Sequence, residues 1–170
     1  VVVCNHVSYM DPIILAGSVR RPMRFVMWYK IFQMPFLNFI FRTMKAIPIA
    51  GAREDRTIMD DAFEKVDAEL AAGNIVCIFP EGAITRDGEI ARFRPGIEKI
   101  IARRPVPVIP ASLGRLWGGW LSRRRDGSMR LMPKRLFARV TVRFGGPVPA
   151  TEVTAARLEL LVRTLRSDER

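Results

Sequence analysis

A chain of 170 residues with a single histidine, His6, holds no multi-histidine metal centre, and any imidazole chemistry it performs has one address. Cysteine is nearly as scarce. Cys4 and Cys77 each lie in an apolar run and read as buried reduced thiols, too few for a disulfide framework or a cysteine-rich metal site, and they suit a cytoplasmic setting. No apolar run reaches the roughly 20 residues that span a bilayer, because Arg42 and Lys45 interrupt the longest one. Internal repeats, low-complexity tracts and interdomain linkers are also missing. One domain over 1–170 follows, with 49% hydrophobic residues to build a sizeable core. Val1 opens inside an apolar strand pattern with no initiator methionine or signal peptide, which reads as a domain truncated at its N-terminus from a longer protein.

What the chain does have is alternation. The patterning predicts strands over 1–4, 24–28, 46–49, 75–79, 106–112 and 139–144, and helices over 12–18, 31–43, 55–72, 96–103 and 152–166. This is an α/β arrangement with a mostly parallel central sheet and helices on both faces. The helix over 55–72 is the clearest, with Ile58, Met59, Ala62, Phe63, Val66 and Leu70 at helical spacing and Gly73 closing it, and it reads as structural.

Against that frame, His6 sits five residues before Asp11, beyond the apolar run Val1–Cys4. On an ideal helix that offset turns the two side chains roughly 140° apart, and in a strand it puts them on opposite faces. They meet only across a turn. Asp11-Pro12 reads as an N-cap followed by proline in the first turn, so the local plan is strand, loop, helix, with the imidazole at the junction and a carboxylate to orient it. The plain alternative is a satisfied histidine beside a capping aspartate. A second strand end follows Ile75–Phe79, where Pro80 and Gly82 stop the run and place Glu81 and Arg86 on the loop beyond it. In open parallel sheets ligands bind at that edge.

Asn5-His6-x4-Asp11, Phe79-Pro80-Glu81-Gly82 with Thr85-Arg86, and Val106-Pro107-Val108-Ile109-Pro110, in this order, resemble the first, third and fourth motifs of the glycerophospholipid acyltransferase superfamily, of the 1-acylglycerol-3-phosphate acyltransferase type. Arg53 stands where the second motif carries its arginine, without the aspartate that usually precedes it. The wording of Ala46 to Arg56, Phe93-Arg94-Pro95-Gly96 and Leu116-Trp117-Gly118 is most similar to acyltransferase domains fused to larger bacterial membrane proteins or to acyl-carrier-protein synthetases.

The resemblance implies transfer of a fatty acyl group from acyl-CoA or acyl-carrier protein, a substrate and not a cofactor, to a lysophospholipid hydroxyl. The acceptor would be lysophosphatidic acid or 2-acylglycerophosphoethanolamine. His6 is then the general base and Asp11 fixes its tautomer, with Ser8 as a loop hydrogen-bonder and not a nucleophile. Arg86 and Arg53 are expected to fork onto the acceptor phosphate, and Arg94 with Gly96 to add anion contacts at a helix start, although each arginine equally suits a surface ion pair. Glu81 is expected to bind a glycerol hydroxyl or orient an arginine, with Gly82 allowing close backbone approach. Thr85 and Pro110 complete the substrate-binding set. No metal is expected. An ester or thioester hydrolase using the same pair, and a non-catalytic lipid-binding domain, remain as other classes.

Charge adds a partner. The net +11 is divided into +5 over 1–50, −2 over 51–114, +8 over 115–143 and 0 over 144–170. Between 115 and 143 nine basic residues surround Trp117, Trp120, Leu121 and Phe137, a mixture suited to anionic lipid headgroups at the cytoplasmic face of the cell membrane. A solvated loop or a nucleic-acid patch would use the same residues, though no nucleic acid is expected. Phe25 to Met44 holds seven aromatics, enough for core packing with some left to line an acyl-chain groove or enter an interface.

Overall fold

The structure is a computed structural model that describes residues 1–33, 35–51, 54–116 and 140–167. Arg53 and most of the basic segment, including Trp117 and Trp120, lie outside the described residues. The strands are β1 (Val2–Cys4), β2 (Met23–Trp28), β3 (Ile47–Ile49), β4 (Ile75–Ile78), β5 (Ile109–Gly114) and β6 (Thr141–Phe144). They form one sheet in the order β3-β2-β4-β1-β5-β6, parallel throughout except for β6, which runs antiparallel to β5. The helices are α1 (Asp11–Ser18), α2 (Pro35–Thr43), α3 (Arg56–Ala71), α4 (Gly96–Arg103) and α5 (Ala155–Ser167).

Two apolar layers cover the sheet, and strand alternation sorts residues between them. Val3, Val76 and Ile78 face the layer that holds Ala62 and Val66 of α3, Ile97 and Ile100 of α4, and Leu158 and Val162 of α5. Val2, Cys4, Phe25 and Cys77 face the other, with Leu15 of α1 and Phe41 of α2. Phe25, Phe41, Leu15, Leu158 and Val162 are fully buried. Each such side chain contributes about 1.5–3 kcal/mol. The expected helices on both faces are present.

The departures from the expected boundaries have local causes. Pro35 lacks an N–H and restricts the residue before it, so the helix expected over 31–43 is split into a 3₁₀ helix, Tyr29–Gln33, and α2. Pro107 delays the fifth strand, where Val108 makes only an isolated pair of bonds with Val148 before β5 begins at Ile109. Asp55, not an α3 residue, caps α3 by accepting from the Ile58 N–H at 3.0 Å, and Gly73 ends it at φ +75°. Asp11 is not the cap of α1. The helix starts on Asp11 after Met10, and the carboxylate turns back over the preceding loop.

Candidate active site

The loop between β1 and α1 leaves the sheet early, and one side chain makes that possible. Asn5, fully buried, donates its Nδ2 to the Leu113 carbonyl at 3.0 Å and accepts from the Leu113 N–H at 2.8 Å, so β5 stays paired beyond the last β1 residue. His6 follows. Its N–H donates to Glu81 Oε1 at 2.7 Å, and its carbonyl accepts from the Thr85 N–H at 2.9 Å. Both partners belong to the long loop after β4, so the two motif-bearing loops are laced together through the histidine backbone.

The imidazole is fixed as firmly as the backbone. Its ring stacks on Phe79 with centroids 4.2 Å apart and planes 16° from parallel. Nδ1 lies 2.7 Å from Asp11 Oδ2, and the same oxygen accepts the Val7 N–H at 2.7 Å and the Ser8 N–H at 3.1 Å. A carboxylate oxygen that gathers two backbone donors is an acceptor for the third, so Nδ1 carries the proton and Nε2 presents a lone pair. Ser8 is fully buried, and its hydroxyl accepts from the Met10 N–H at 3.1 Å. That is the behaviour expected of a loop hydrogen-bonder.

Glu81 corrects an expectation. Both its oxygens are spent on main-chain amides, Oε1 on His6 and Oε2 on the Ala91 N–H at 2.7 Å, so it neither orients an arginine nor faces the cavity. Burial pushes its carboxyl above the ordinary value, with the Ala91 and His6 amides opposing. Thr85 is likewise internal, donating to Asp87 Oδ1 at 2.9 Å and accepting from the Gly88 N–H at 3.1 Å. Arg86 is exposed and does not line the cavity. Pro110 is also displaced from the site: it lies buried within β5 opposite Val3, and its carbonyl accepts from the Gly145 N–H.

The cavity itself holds about 450 Å³. His6, Gly82, Arg94, Trp28 and Glu54 are among the residues that line it. Its apolar wall comes from Val26 and Ile78 of the sheet, Ala62, Phe63 and Val66 of α3, and Ile97 and Ile100 of α4. Gly82 explains the place of Arg94. Gly82 has φ +71°, and a Cβ there would lie 2.8 Å from Arg94 Cζ, so the guanidinium packs where any side chain would stand. Gly96 joins the lining at the start of α4. The face of α3 read as purely structural therefore also walls the cavity, and Trp28 and Glu54 were not marked by the motifs. Their signals in the sequence are position, Trp28 as the last residue of β2 and Glu54 on the loop after β3, and for Trp28 its place among the aromatics of Phe25 to Met44.

A family model described as Acyltransferase matches residues 1–114, two strand ends and five parallel strands included. The chain belongs to the acyltransferase family. Among its relatives, a chloroplastic 1-acyl-sn-glycerol-3-phosphate acyltransferase of Brassica napus is 30% identical over 113 residues, covering 66% of this chain and 32% of the relative. A 1-acyl-sn-glycerol-3-phosphate acyltransferase of Borreliella burgdorferi is 26% identical over 115 residues, covering 66% and 44%. The chain thus spans less than half the length of these relatives. The crystal structure of the 1-acyl-sn-glycerophosphate acyltransferase PlsC from Thermotoga maritima shares the fold, with a TM-score of 0.73 at 23% identity over 99% of this chain and 65% of that one. Membership of the acyltransferase family, expected from the motifs, and the mostly parallel sheet, expected from the alternation of strands and helices, are thereby established.

Proposed function

We propose that this acyltransferase-family domain moves a fatty acyl group from a thioester, acyl-CoA or acyl-carrier protein, to the free hydroxyl of a lysophospholipid, with His6 as general base. The observation that carries the reading is the pairing of Nδ1 with Asp11 at 2.7 Å on the rim of a cavity whose wall is apolar. A glycerol hydroxyl is a poor nucleophile at neutral pH. Nε2 takes its proton as the oxygen attacks the thioester carbonyl carbon, and Asp11 stabilises the imidazolium that forms. The tetrahedral intermediate then expels the thiolate, the C–S bond breaks, and the imidazolium returns the proton to sulfur.

Among the described residues Arg94 is the cation best placed to hold the acceptor's phosphate, because Gly82 seats its guanidinium on the cavity lining beside the loop that carries Glu81. The apolar wall suits an acyl chain. Names of the relatives favour lysophosphatidic acid as acceptor. Attachment to the cytoplasmic face of the membrane rests on the surplus of basic residues and on Phe39 of α2, 75% exposed and followed by Arg42 and Lys45. Among the described residues no helix is long and apolar enough to cross a membrane.

The test is acyl transfer by the full-length protein from both carriers to a panel of lysophospholipids, with free fatty acid measured in parallel. Transfer that disappears in His6→Ala is expected. Full transfer by that variant overturns the mechanism, and release of free acid without transfer replaces it with a hydrolase.

A further inference from the structure

Between Gly88 and Phe93 the chain runs from the loop after β4 toward the start of α4 without joining a strand or a helix. Side chains hold its main chain. Among the described residues, the Gly88 N–H donates to Thr85 Oγ1, the Glu89 N–H to Asp87 Oδ1, the Ala91 N–H to Glu81 Oε2 and the Phe93 N–H to Glu159 Oε2. The carbonyls of Gly88 and Ile90 accept from the guanidinium groups of Arg166 and Arg163. Ile90 and Phe93 are also buried in the apolar layer that α3, α4 and α5 share. Apolar burial is non-directional, so it seats the segment and leaves the orientation of each peptide to these bonds.

Three of the six bonds come from α5. Glu159, Arg163 and Arg166 stand at i, i+4 and i+7 and so share one face of the helix, next to the stripe of Leu158 and Val162 that enters the core. Glu159 has two partners: Oε2 takes the Phe93 N–H at 2.9 Å, and Oε1 takes Arg163 Nε at 2.9 Å. One carboxylate therefore ties the segment to the guanidinium that also reaches Ile90. The start of α5 is fixed in turn from α4, where Glu98 Oε1 accepts the Ala155 N–H at 2.8 Å. The match to the family model ends at residue 114, so this row of side chains lies beyond it.

Phe93 immediately precedes Arg94. The Arg94 N–H donates to the Pro80 carbonyl at 2.9 Å, and its guanidinium packs over Gly82 on the cavity lining. Glu81 holds Ala91, three residues away, whereas Glu159 holds the neighbouring residue. A turn of the main chain at Phe93 carries the Arg94 side chain with it, and a displacement of about 1 Å is enough to break a guanidinium–phosphate hydrogen bond.

We infer that Glu159, braced by Arg163, is a positioning residue for Arg94, so that α5 sets the affinity of the site for the acceptor's phosphate. The inference rests on the reading of Arg94 as the phosphate's partner.

The test is a double-mutant cycle in the full-length protein: wild type, Glu159→Ala, Arg94→Ala and the double variant, with Glu159→Gln and Arg163→Lys beside them. Equilibrium binding of lysophosphatidic acid and of monoacylglycerol, which lacks the phosphate, is measured with kcat and acceptor KM. Glu159→Ala is expected to weaken lysophosphatidic acid by about two- to tenfold in Kd and KM, with kcat and the Kd for monoacylglycerol unchanged. In the Arg94→Ala background the same substitution is expected to add nothing, since it acts through a side chain already removed. Glu159→Gln, which keeps one acceptor, should recover part of the affinity, and Arg163→Lys decides the matter if Glu159→Ala fails to fold. A loss that is the same for both lipids, or that persists in full without Arg94, overturns the inference alone and is the pattern of a merely structural helix contact. An Arg94→Ala variant with wild-type affinity for lysophosphatidic acid overturns the phosphate reading, and the inference falls with it. A wild type that binds lysophosphatidic acid but transfers nothing to it defeats the enzymatic reading, and the binding cycle then still decides the role of Glu159.

Discussion

Replacing Glu81 by glutamine deletes half of a two-handed clamp. The carboxylate accepts the N–H of His6 through one oxygen and the N–H of Ala91 through the other, each at 2.7 Å, with only 4% of the residue exposed. An amide offers one acceptor, so either His6 or Ala91 is left facing a donor. A charge-assisted bond is worth about 1.5–3 kcal/mol, and relief from burying a charge returns part of it, leaving Glu81→Gln destabilised by about 1–3 kcal/mol. For a domain of this size that lowers Tm by roughly 3–10 °C. Thermal unfolding followed by circular dichroism reads the shift. Activity should fall in kcat with little change in KM for the acceptor, because the clamp holds His6, the proposed base, and Glu81 does not line the cavity. The reasoning is refuted by an unchanged Tm together with a raised acceptor KM, the pattern of a direct substrate contact. The pH dependence carries an independent sign. Burial raises the Glu81 carboxyl above 4.5, so the stability supplied by its proton is complete below that pH and is lost as the pH rises through the folded value. The variant, which has no proton to lose, should lack that decline.

Asp11→Asn keeps the shape of the β1–α1 loop but lets Nδ1 lose its proton donor role, and by analogy with other histidine–aspartate pairs it should lower kcat on the order of 10⁴-fold in the thioester assay. Gly82→Ala places a methyl against the Arg94 guanidinium and strains a φ of +71°, costing about 1–2 kcal/mol in denaturant unfolding and raising KM for phosphate-bearing acceptors. An Arg94→Ala variant with unchanged acceptor KM would refute the second half of that expectation. Cys4 and Cys77 are fully buried and burial pushes both thiols up, so neither should react with maleimide at pH 8 until the protein is unfolded, as mass spectrometry would record.

The order of elements and the meeting of His6 with Asp11 were legible because each rests on short-range rules. Apolar runs of strand length alternating with helical stripes leave few arrangements other than a parallel sheet, and an offset of five forces a turn. The role of Glu81 was hidden because its partners are backbone amides, which every residue carries and no motif advertises. Asp11 misled for a related reason. An aspartate before proline looks the same in sequence whether its carboxylate reaches forward to the helix or back to the loop. Arg86 and Pro110 were assigned by resemblance, and their actual surroundings depend on where a long loop and an antiparallel edge strand come to rest. The walls formed by α3 and α4 escaped notice since a residue that faces a core and one that faces a cavity next to it obey the same periodicity. Arg53 and the tryptophans of the basic segment lie outside the described residues.

Asn5 turns the end of β1 into a fork. The side-chain amide, carrying the same donor and acceptor as a peptide group, keeps hold of β5 through Leu113, while the main chain one residue on is claimed by the loop after β4 through Glu81 and Thr85. One strand thus grips both neighbours at once with different parts of itself, and the imidazole rises from the crotch. Such a branch point accepts little else: aspartate would set a carboxylate against the Leu113 carbonyl, serine falls short, and glutamine overshoots. The first letter of the Asn5-His6 pair is therefore written by the joinery of the sheet, and chemistry begins only with the second.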